Sequence, residues 1–253
     1  MNLDLSLILP HFNSKALAER KIIVLDEKLK NLGLSYEIII VDDGSIPEEQ
    51  INVQHLPATA KLILLPKNIG KGAAISRGML AAQGKVRIFT DIDLPYDLSA
   101  VHYAYTLIQE KDFHFVAGDR SLPNSKYDIP GPMHRRIASK IFSKMITLLI
   151  IGGIYDSQCG FKAFSAELTE ALFPLLTIQR FSFDVEIYYL LLKYNVTIRR
   201  IPVCLRNQEG STVNLFKHAL PMALRTLSIP FKWYAGKYQS KAMSAFLDNP
   251  YWE

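Results

Sequence analysis

The chain has 253 residues, of which 49% are apolar and 21% are charged. These proportions are those of a globular protein with one large or two small cores, and they exclude a disordered chain, a collagen-like repeat and a coiled coil. The formal net charge is +5, and residues 196–253 contain eight Lys and Arg but only three Asp and Glu, so the basic excess is concentrated in the tail.

The first half of the chain alternates short β-branched segments with helical patterns, which is typical of an α/β sheet built from crossover units. Strands are predicted at 5–10, 36–41, 61–65, 86–90, 113–117 and 197–205. Helices are predicted at 16–32, 72–83, 134–151, 166–176 and 185–194. After Thr212 two further helical stretches are expected, interrupted by Pro221 and Pro230. We therefore predict one domain at 1–211 and a C-terminal helical appendage at 212–253.

Each of the first four predicted strands is followed by a polar cluster, at residues 11–14, 42–45, 67–71 and 91–93. Ligands of open α/β sheets bind just beyond the carboxyl ends of the strands. The four clusters are therefore expected to meet at one crevice.

Asp91 and Asp93 follow the fourth of these strands with one apolar residue between them. In an extended segment this spacing directs both carboxylates to one side, where they could hold Mg²⁺ or Mn²⁺ against a diphosphate. Spacing alone also fits a turn or a helix cap, because Asp is favoured at both.

Two glycine-containing turns carry further candidates. In VDDGS, Asp42 or Asp43 could accept a hydrogen bond from a ribose hydroxyl or a base N–H, although a turn with a helix cap is the simpler interpretation. In NIGKG, Lys71 and Gly72 open a helix whose N-terminus favours an anion. An ordinary glycine-rich turn is an equal alternative there.

Taken in order, the segments HFN, VDDGS, NIGKGAAISRG, TDIDLP, GDR, RRIAS, DSQCGFKAF and FSFDVEI resemble those of glycosyltransferase family 2. The similarity extends from about residue 5 to about residue 211 and is strongest to the branch of dolichyl-phosphate glucosyltransferases and other polyprenyl-phosphate glycosyltransferases. The resemblance implies a GT-A fold, a Rossmann-like nucleotide-sugar domain with a mostly parallel sheet. It also implies inverting, metal-dependent transfer of a sugar, glucose from UDP-glucose, to a dolichyl or undecaprenyl phosphate.

The resemblance also implies roles for individual residues. The donor-binding set is Pro10, Phe12, Asn13, Asp42, Asp43, Lys71, Gly72, Asp91 and Gln158. The metal, Mg²⁺ or Mn²⁺, would be held by Asp91 and Asp93. The catalytic set is Asp93, Arg120, Arg135, Ser139 and Asp184, in which Arg120, Arg135 and Ser139 match residues that contact the acceptor phosphate.

Two of these assignments have alternatives in the pattern itself. Arg135 and Ser139 lie one turn apart on a predicted helix, where a solvated basic face competes with phosphate binding. Asp184 and Glu186 lie at a predicted helix start, where capping competes with a role toward the donor sugar or the acceptor. We do not predict a base role for Asp184, because a phosphate monoester is already anionic near neutral pH.

The tail is predicted to form a basic amphipathic helix, with Lys217, His218 and Arg225 on an arc opposite several leucines. Such a helix fits an anionic membrane surface, and a helix pair that faces the core is the alternative. The sequence has only two cysteines and no secretory signal, and its longest uncharged run is too short to span a bilayer. We therefore predict a cytoplasmic protein that is peripheral on the cytoplasmic face of the membrane. We predict no binding to nucleic acid.

The residues leave other functions open. The donor could be GDP-mannose or UDP-N-acetylglucosamine, and the acceptor could be a saccharide. A non-catalytic basic module that binds membranes or nucleic acid is the alternative from a different class.

Overall fold

The computed structural model describes residues 3–94, 97–125, 150–152, 154, 156–204 and 215–248, with side chains for all but 215–220. Within these ranges the strands are β1 (Leu3–His11), β2 (Tyr36–Asp42), β3 (Ala60–Leu64), β4 (Gly84–Phe89), β5 (Phe115–Asp119), β6 (Lys162–Ser165) and β7 (Ile198–Pro202). The helices are α1 (Lys15–Lys30), α2 (Lys71–Ala81), α3 (Leu98–Glu110), α4 (Ala166–Leu172), α5 (Phe183–Lys193), α6 (Leu215–Tyr234) and α7 (Lys241–Leu247).

The strands form one sheet in the order β3-β2-β1-β4-β6-β5-β7. All neighbours are parallel except β6, which runs antiparallel to both β4 and β5. The predicted α/β class with a mostly parallel sheet is confirmed. Because β6 is reversed, its first residue, Lys162, lies opposite Phe89 and Ala117 at the edge where the parallel strands end.

Helices cover both faces of the sheet. Side chains alternate along each strand, so Ile8 of β1 faces α2, α4 and α5 while Leu7 and Leu9 face α1 and α3. All three are at most 1% exposed, and burial of such a side chain is worth ~1.5–3 kcal/mol. The first face also contains an aromatic cluster in which Phe89 stacks on Phe164 at 6.0 Å between ring centroids.

The C-terminal helices α6 and α7 pack on the same face as α5. Ile229 of α6, Tyr238 in the connecting turn and Met243 of α7 are fully buried in that core. The expected interruptions of the helix at Pro221 and Pro230 are wrong, because α6 runs through both. Packing on the core accompanies this continuity: Ile229, next to Pro230, is completely buried, and the Met222 carbonyl accepts from the Ser182 hydroxyl of the neighbouring segment.

Two elements of the structure were not predicted from the sequence, and one predicted helix cannot be compared. Helix α3 and strand β6 were not predicted, and the predicted helix at 134–151 lies almost entirely outside the described residues. No helix within the described ranges is both long enough and apolar enough to cross a membrane.

Candidate active site

The loops after β1 and β2 are joined by hydrogen bonds. The Asn13 N–H donates to Ser45 Oγ at 2.8 Å, and the Ile46 N–H donates to Asn13 Oδ1 at 3.1 Å. Asn13 is in the left-handed region with φ 47°, and so is Gly44 with φ 73°. A Cβ at Gly44 would lie 2.3 Å from the Lys67 carbonyl carbon, so only glycine allows the third polar loop to approach.

Asp43 connects the second polar loop to the third. Its two carboxylate oxygens accept the N–H groups of Ile69 and Gly70 at 2.8 and 2.9 Å. Burial raises the pKa of this carboxyl, and the two hydrogen bonds offset only part of the effect. The predicted donor residue Asp43 therefore also holds the glycine-lysine turn in place.

Asp42 has one oxygen without a hydrogen-bond partner. Its Oδ1 accepts the Ser45 N–H at 2.8 Å, while its buried Oδ2 has no hydrogen bond and lies 3.9 Å from Nε2 of His11. A buried carboxylate oxygen in this state is costly unless a donor reaches it. Of the two adjacent aspartates, Asp42 is therefore the one with capacity for a ligand.

The glycines of the turn at 70–72 are required by the segment that packs on them. A Cβ at Gly70 would lie 2.6 Å from the Gln179 carbonyl oxygen, and one at Gly72 would lie 2.8 Å from that of Ile178. The Ala73 N–H donates to the Gln179 carbonyl at 3.0 Å. This packing places Arg180, which sequence reasoning did not identify, against Gly70 at the mouth of the site.

Lys71 and Asp91 form an ion pair between Nζ and Oδ1, and their side chains are 24% and 30% exposed. Burial acts to lower the pKa of Lys71, but the carboxylates of Asp91, Asp184 and Asp93 outweigh it and raise that pKa. The predicted convergence of the glycine-lysine turn with the aspartates after β4 is thus present in the structure.

Gly160 accommodates the carboxylate of Asp91. A Cβ at this position would lie 2.2 Å from Asp91 Oδ2, which no side chain permits. The glycine of the CGFK segment is therefore needed so that Asp91 can occupy its place. No pattern in the sequence connects these two positions.

Asp93, unlike Asp91, has a buried carboxylate oxygen without a partner. Its Oδ1 is buried without a hydrogen-bond partner, and burial together with the charge of Asp91 raises its pKa to about 6. Within the described ranges no group of three or more His, Cys, Asp and Glu side chains is arranged to hold a metal. The two aspartates still fit Mg²⁺ or Mn²⁺, because such ions commonly take one or two carboxylates and complete their shell with water and phosphate oxygens.

Asp184 is held by a buried lysine. Lys162, which has no exposed surface, donates to Asp184 Oδ1 at 2.6 Å and to the Cys159 carbonyl at 2.6 Å. Its ammonium also lies over the rings of Phe89 and Tyr188, at 5.4 and 5.6 Å from the centroids. Burial raises the pKa of Asp184, and Lys162 and Lys71 offset part of that increase. Asp184 thus belongs to the charged cluster and does not cap α5.

The acceptor-side predictions are only partly described. Arg120, just after β5, donates from Nε and Nη2 to the two carboxylate oxygens of Asp156 at 2.8 and 2.6 Å. Gln158 follows in the same loop, with its Nε2 buried and without a hydrogen bond. Arg135 and Ser139 lie outside the described residues.

Two donor-side predictions differ in their accessibility. Phe12 is 46% exposed at the end of β1, where a base could stack on its ring. Pro10 lies within β1, paired with Val41. Pro10 is partly exposed there, one residue before the end of β1, and its contact with the donor stays a prediction.

The profile of the family described as "Glycosyl transferase family 2" matches residues 6–173. The chain is 34% identical over 255 residues to a dolichyl-phosphate beta-glucosyltransferase of Dictyostelium discoideum, covering 95% of this chain and 78% of the relative. It is 27% identical over 255 residues to the dolichyl-phosphate beta-glucosyltransferase of Homo sapiens, covering 93% of this chain and 78% of that one.

Solved structures share the fold at lower identity. Glucosyl-3-phosphoglycerate synthase of Mycobacterium tuberculosis, crystallised with Mn²⁺, UDP and glucosyl-3-phosphoglycerate, matches with a TM-score of 0.64 at 17% identity, over 89% of this chain and 79% of that chain. Mannosyl-3-phosphoglycerate synthase of Rubrobacter xylanophilus matches with a TM-score of 0.63 at 17% identity, over 94% and 76%. The GT-A fold predicted from the motifs is confirmed.

The close approach of Gly160 to Asp91 gives a first prediction. Gly160→Ala should weaken Mn²⁺ binding in the presence of UDP about tenfold or more, equal to ~1.4 kcal/mol, because the new Cβ displaces the carboxylate. Calorimetric titration measures the affinity. Gly152→Ala is the matched control, because no residue within the described ranges lies within 4 Å of its added Cβ. Equal affinities for the two variants would contradict the assigned function of Gly160.

The raised pKa of Asp93 gives a second prediction. When the pKa of a carboxyl is higher in the folded protein than in the unfolded chain, the free energy of unfolding falls as the pH rises between the two values. For Asp93 these values are 3.8 and about 6. In the metal-free protein, Asp93→Asn should therefore raise Tm at about pH 7.5 and raise it much less at about pH 4. Thermal unfolding in EDTA at the two pH values tests this. The idea fails if the difference in Tm between variant and wild type does not grow with pH.

Proposed function

The chain belongs to glycosyl transferase family 2 and is a glycosyltransferase, and from this premise we propose that it transfers glucose from UDP-glucose to a polyprenyl phosphate such as dolichyl or undecaprenyl phosphate. One observation carries the proposal: Asp91 and Asp93 lie beside the ammonium of Lys71 at the carboxyl edge of the sheet. The relatives named dolichyl-phosphate beta-glucosyltransferase support the donor sugar and the acceptor class. Family membership disfavours a non-catalytic basic module.

The donor diphosphate would lie between the glycine-lysine turn and the aspartates. Lys71 and Arg180 supply positive charge there, and the N-terminus of α2 adds the partial positive charge of the helix dipole. The unpartnered oxygen of Asp42 is a suitable acceptor for a ribose hydroxyl or a base N–H. The exposed ring of Phe12 offers a stacking surface for the base.

Asp91 and Asp93 are the residues that would hold Mg²⁺ or Mn²⁺. When bound, such an ion neutralises the charge that develops on a departing nucleoside diphosphate. Lys71 contributes to the same neutralisation, because its ammonium already lies beside Asp91. Charge stabilisation aimed at the leaving group is commonly the largest catalytic contribution of such a site.

In the proposed reaction an oxygen of the acceptor phosphate attacks the anomeric carbon of glucose. The new bond joins that oxygen to the carbon, the bond from the carbon to the UDP oxygen breaks, and the anomeric centre inverts. A phosphate monoester is largely ionised near neutral pH, with a second pKa of about 6, so a side chain is not needed to remove a proton. Asp184, held by Lys162, is placed to accept a hydrogen bond from a sugar hydroxyl.

The acceptor phosphate would bind on the side of β5. Arg120 is oriented there by its two hydrogen bonds to Asp156, and guanidinium groups match the geometry of phosphate. We include Arg135 and Ser139 in this site from the family resemblance. Gln158, with its buried and unpartnered amide nitrogen, is available to a donor or acceptor oxygen.

The proposed reaction predicts a specific product. Purified enzyme with UDP-[¹⁴C]glucose, dolichyl phosphate and Mn²⁺ should yield a labelled lipid that partitions into organic solvent, and EDTA should abolish it. Asp91→Asn and Asp93→Asn should each lower kcat/KM at least about a hundredfold, since each removes a charged oxygen ligand worth several kcal/mol.

The same assay separates the alternative substrates. A label delivered only from GDP-mannose or UDP-N-acetylglucosamine would replace the proposed donor. A labelled product that stays in water would replace the lipid acceptor by a saccharide. Transfer that persists undiminished in both aspartate variants would contradict the site itself.

We also propose that α6 docks on an anionic membrane surface. Leu224, Leu227, Phe231 and Tyr234 are spaced three or four residues apart and are 60%, 44%, 76% and 80% exposed, so they form one apolar stripe. On another face of the helix, Ile229 is completely buried in the core. One face of the helix thus packs on the core, as the alternative interpretation expected, and the exposed stripe would be the face that meets the membrane. Arg225, Lys237 and Lys241 are exposed and would suit acidic headgroups.

Vesicle binding tests this surface. The double variant Leu227→Ser and Phe231→Ser should reduce co-sedimentation with phosphatidylserine-containing vesicles at least about tenfold, because each apolar side chain contributes ~1.5–3 kcal/mol when it leaves water. The matched control is Ile23→Ser and Val24→Ser on α1, which are 45% and 40% exposed. Comparable losses in both double variants would contradict a specific role for α6. Location on the cytoplasmic face stays a prediction.

A further inference from the structure

Glu186 of α5 is completely buried and does not face the charged cluster. Its carboxylate accepts the backbone N–H groups of Thr177 and Ile178, at 3.1 and 2.8 Å, and the Thr177 hydroxyl at 2.5 Å. The hydroxyl of Tyr238 donates to the same carboxylate at 2.5 Å. These hydrogen bonds fix residues 177 and 178, which precede α5, against the turn between α6 and α7.

The segment fixed by Glu186 is the one that packs on the glycine-lysine turn. The carbonyl of Gln179 accepts the Ala73 N–H, and the carbonyls of Ile178 and Gln179 approach Gly72 and Gly70 too closely to admit a Cβ. A displacement of residues 177–179 would therefore move the turn that carries Lys71. In a tightly packed site a displacement of about 1 Å is enough to misplace a charged group.

Tyr238 is in turn held by the C-terminal helices and by α5. Its backbone carbonyl accepts the Tyr194 hydroxyl at 2.5 Å, and its side chain has no exposed surface. From α6, Lys232 donates to the Thr177 hydroxyl at 2.8 Å. Residues 177–179 are thus tied from two sides to the C-terminal appendage, about 60 residues away in sequence.

We propose that Glu186 and Tyr238 are positioning residues for the nucleotide-sugar site: they hold residues 177–179, and through them the Gly70-Lys71-Gly72 turn, in the conformation that binds the donor diphosphate. The proposal rests on the proposed function, in which this turn binds the diphosphate. Neither residue touches the donor. Glu186 accepts hydrogen bonds from Thr177, Ile178 and Tyr238, so one side chain links the segment before α5 to the turn before α7.

Tyr238→Phe tests the proposal because it removes only the hydroxyl. Its affinity for UDP in the presence of Mn²⁺, measured by calorimetry, should fall about tenfold relative to wild type. Tyr103→Phe is the matched control: this tyrosine of α3 is 45% exposed, and the variant should bind UDP as the wild type does. In the transfer assay KM for the donor should rise by the same factor as the Kd for UDP, with kcat changed less than about twofold.

A second variant tests the proposal even if Tyr238→Phe does not fold. Thr177 is exposed, so Thr177→Ala should fold normally while losing the hydroxyl that donates to Glu186 and accepts from Lys232. It should weaken UDP binding about threefold or more. A fall in kcat with an unchanged KM for the donor would overturn the assigned role.

The outcomes separate this inference from the proposed function. If the wild type binds UDP and both Tyr238→Phe and Thr177→Ala bind it equally well, the inference is overturned and the proposed function stands. If the wild type binds neither UDP nor GDP, both are overturned.

Discussion

The site depends on two carboxylates that lie close together at the carboxyl edge of the sheet, although their like charges repel each other. Asp91 and Asp93 are separated by a single residue, and both are partly withdrawn from water. Asp91 is compensated by the ammonium of Lys71, whereas the buried oxygen of Asp93 has no hydrogen bond and its pKa is raised to about 6. A divalent cation would relieve this imbalance. The unfavourable position of Asp93 in the metal-free protein is therefore also what makes this pair of carboxylates complementary to a cation.

The reversed strand β6 supplies what parallel strands alone could not. In a parallel sheet the ligand edge receives only residues that follow strands. Because β6 runs the other way, its first residue, Lys162, and Gly160 just before it reach the same edge. One gives Asp91 its space and the other gives Asp184 its countercharge. A single antiparallel strand thus brings the CGFK segment and the acidic loop after β4 into one cluster.

Much of this arrangement could be predicted from the sequence. The strands β1 to β4 stand out because apolar segments of the right length end in polar loops, and the order of those loops carries the family resemblance. Strand β6 was missed because four residues, KAFS, show no usable alternation. The role of Gly160 could not be predicted because Asp91 lies 69 residues before it, and the link made by Glu186 could not be predicted because Tyr238 lies 52 residues after it. Local patterns predict elements, whereas contacts of this range depend on how the elements pack.

The continuity of α6 also shows why proline spacing was a poor guide. An isolated helix would lose stability at Pro221 and Pro230, but here one face is packed on the core through Ile229 and another carries the exposed apolar stripe. If that stripe meets lipid, one face of α6 contacts the membrane. The same helix, through Lys232 and through Tyr238 in the turn that follows it, also holds residues 177–179, which pack on the glycine-lysine turn. An enzyme that joins a water-soluble donor to a lipid phosphate must place both substrates within bonding distance. A helix that contacted both regions would help to meet that requirement.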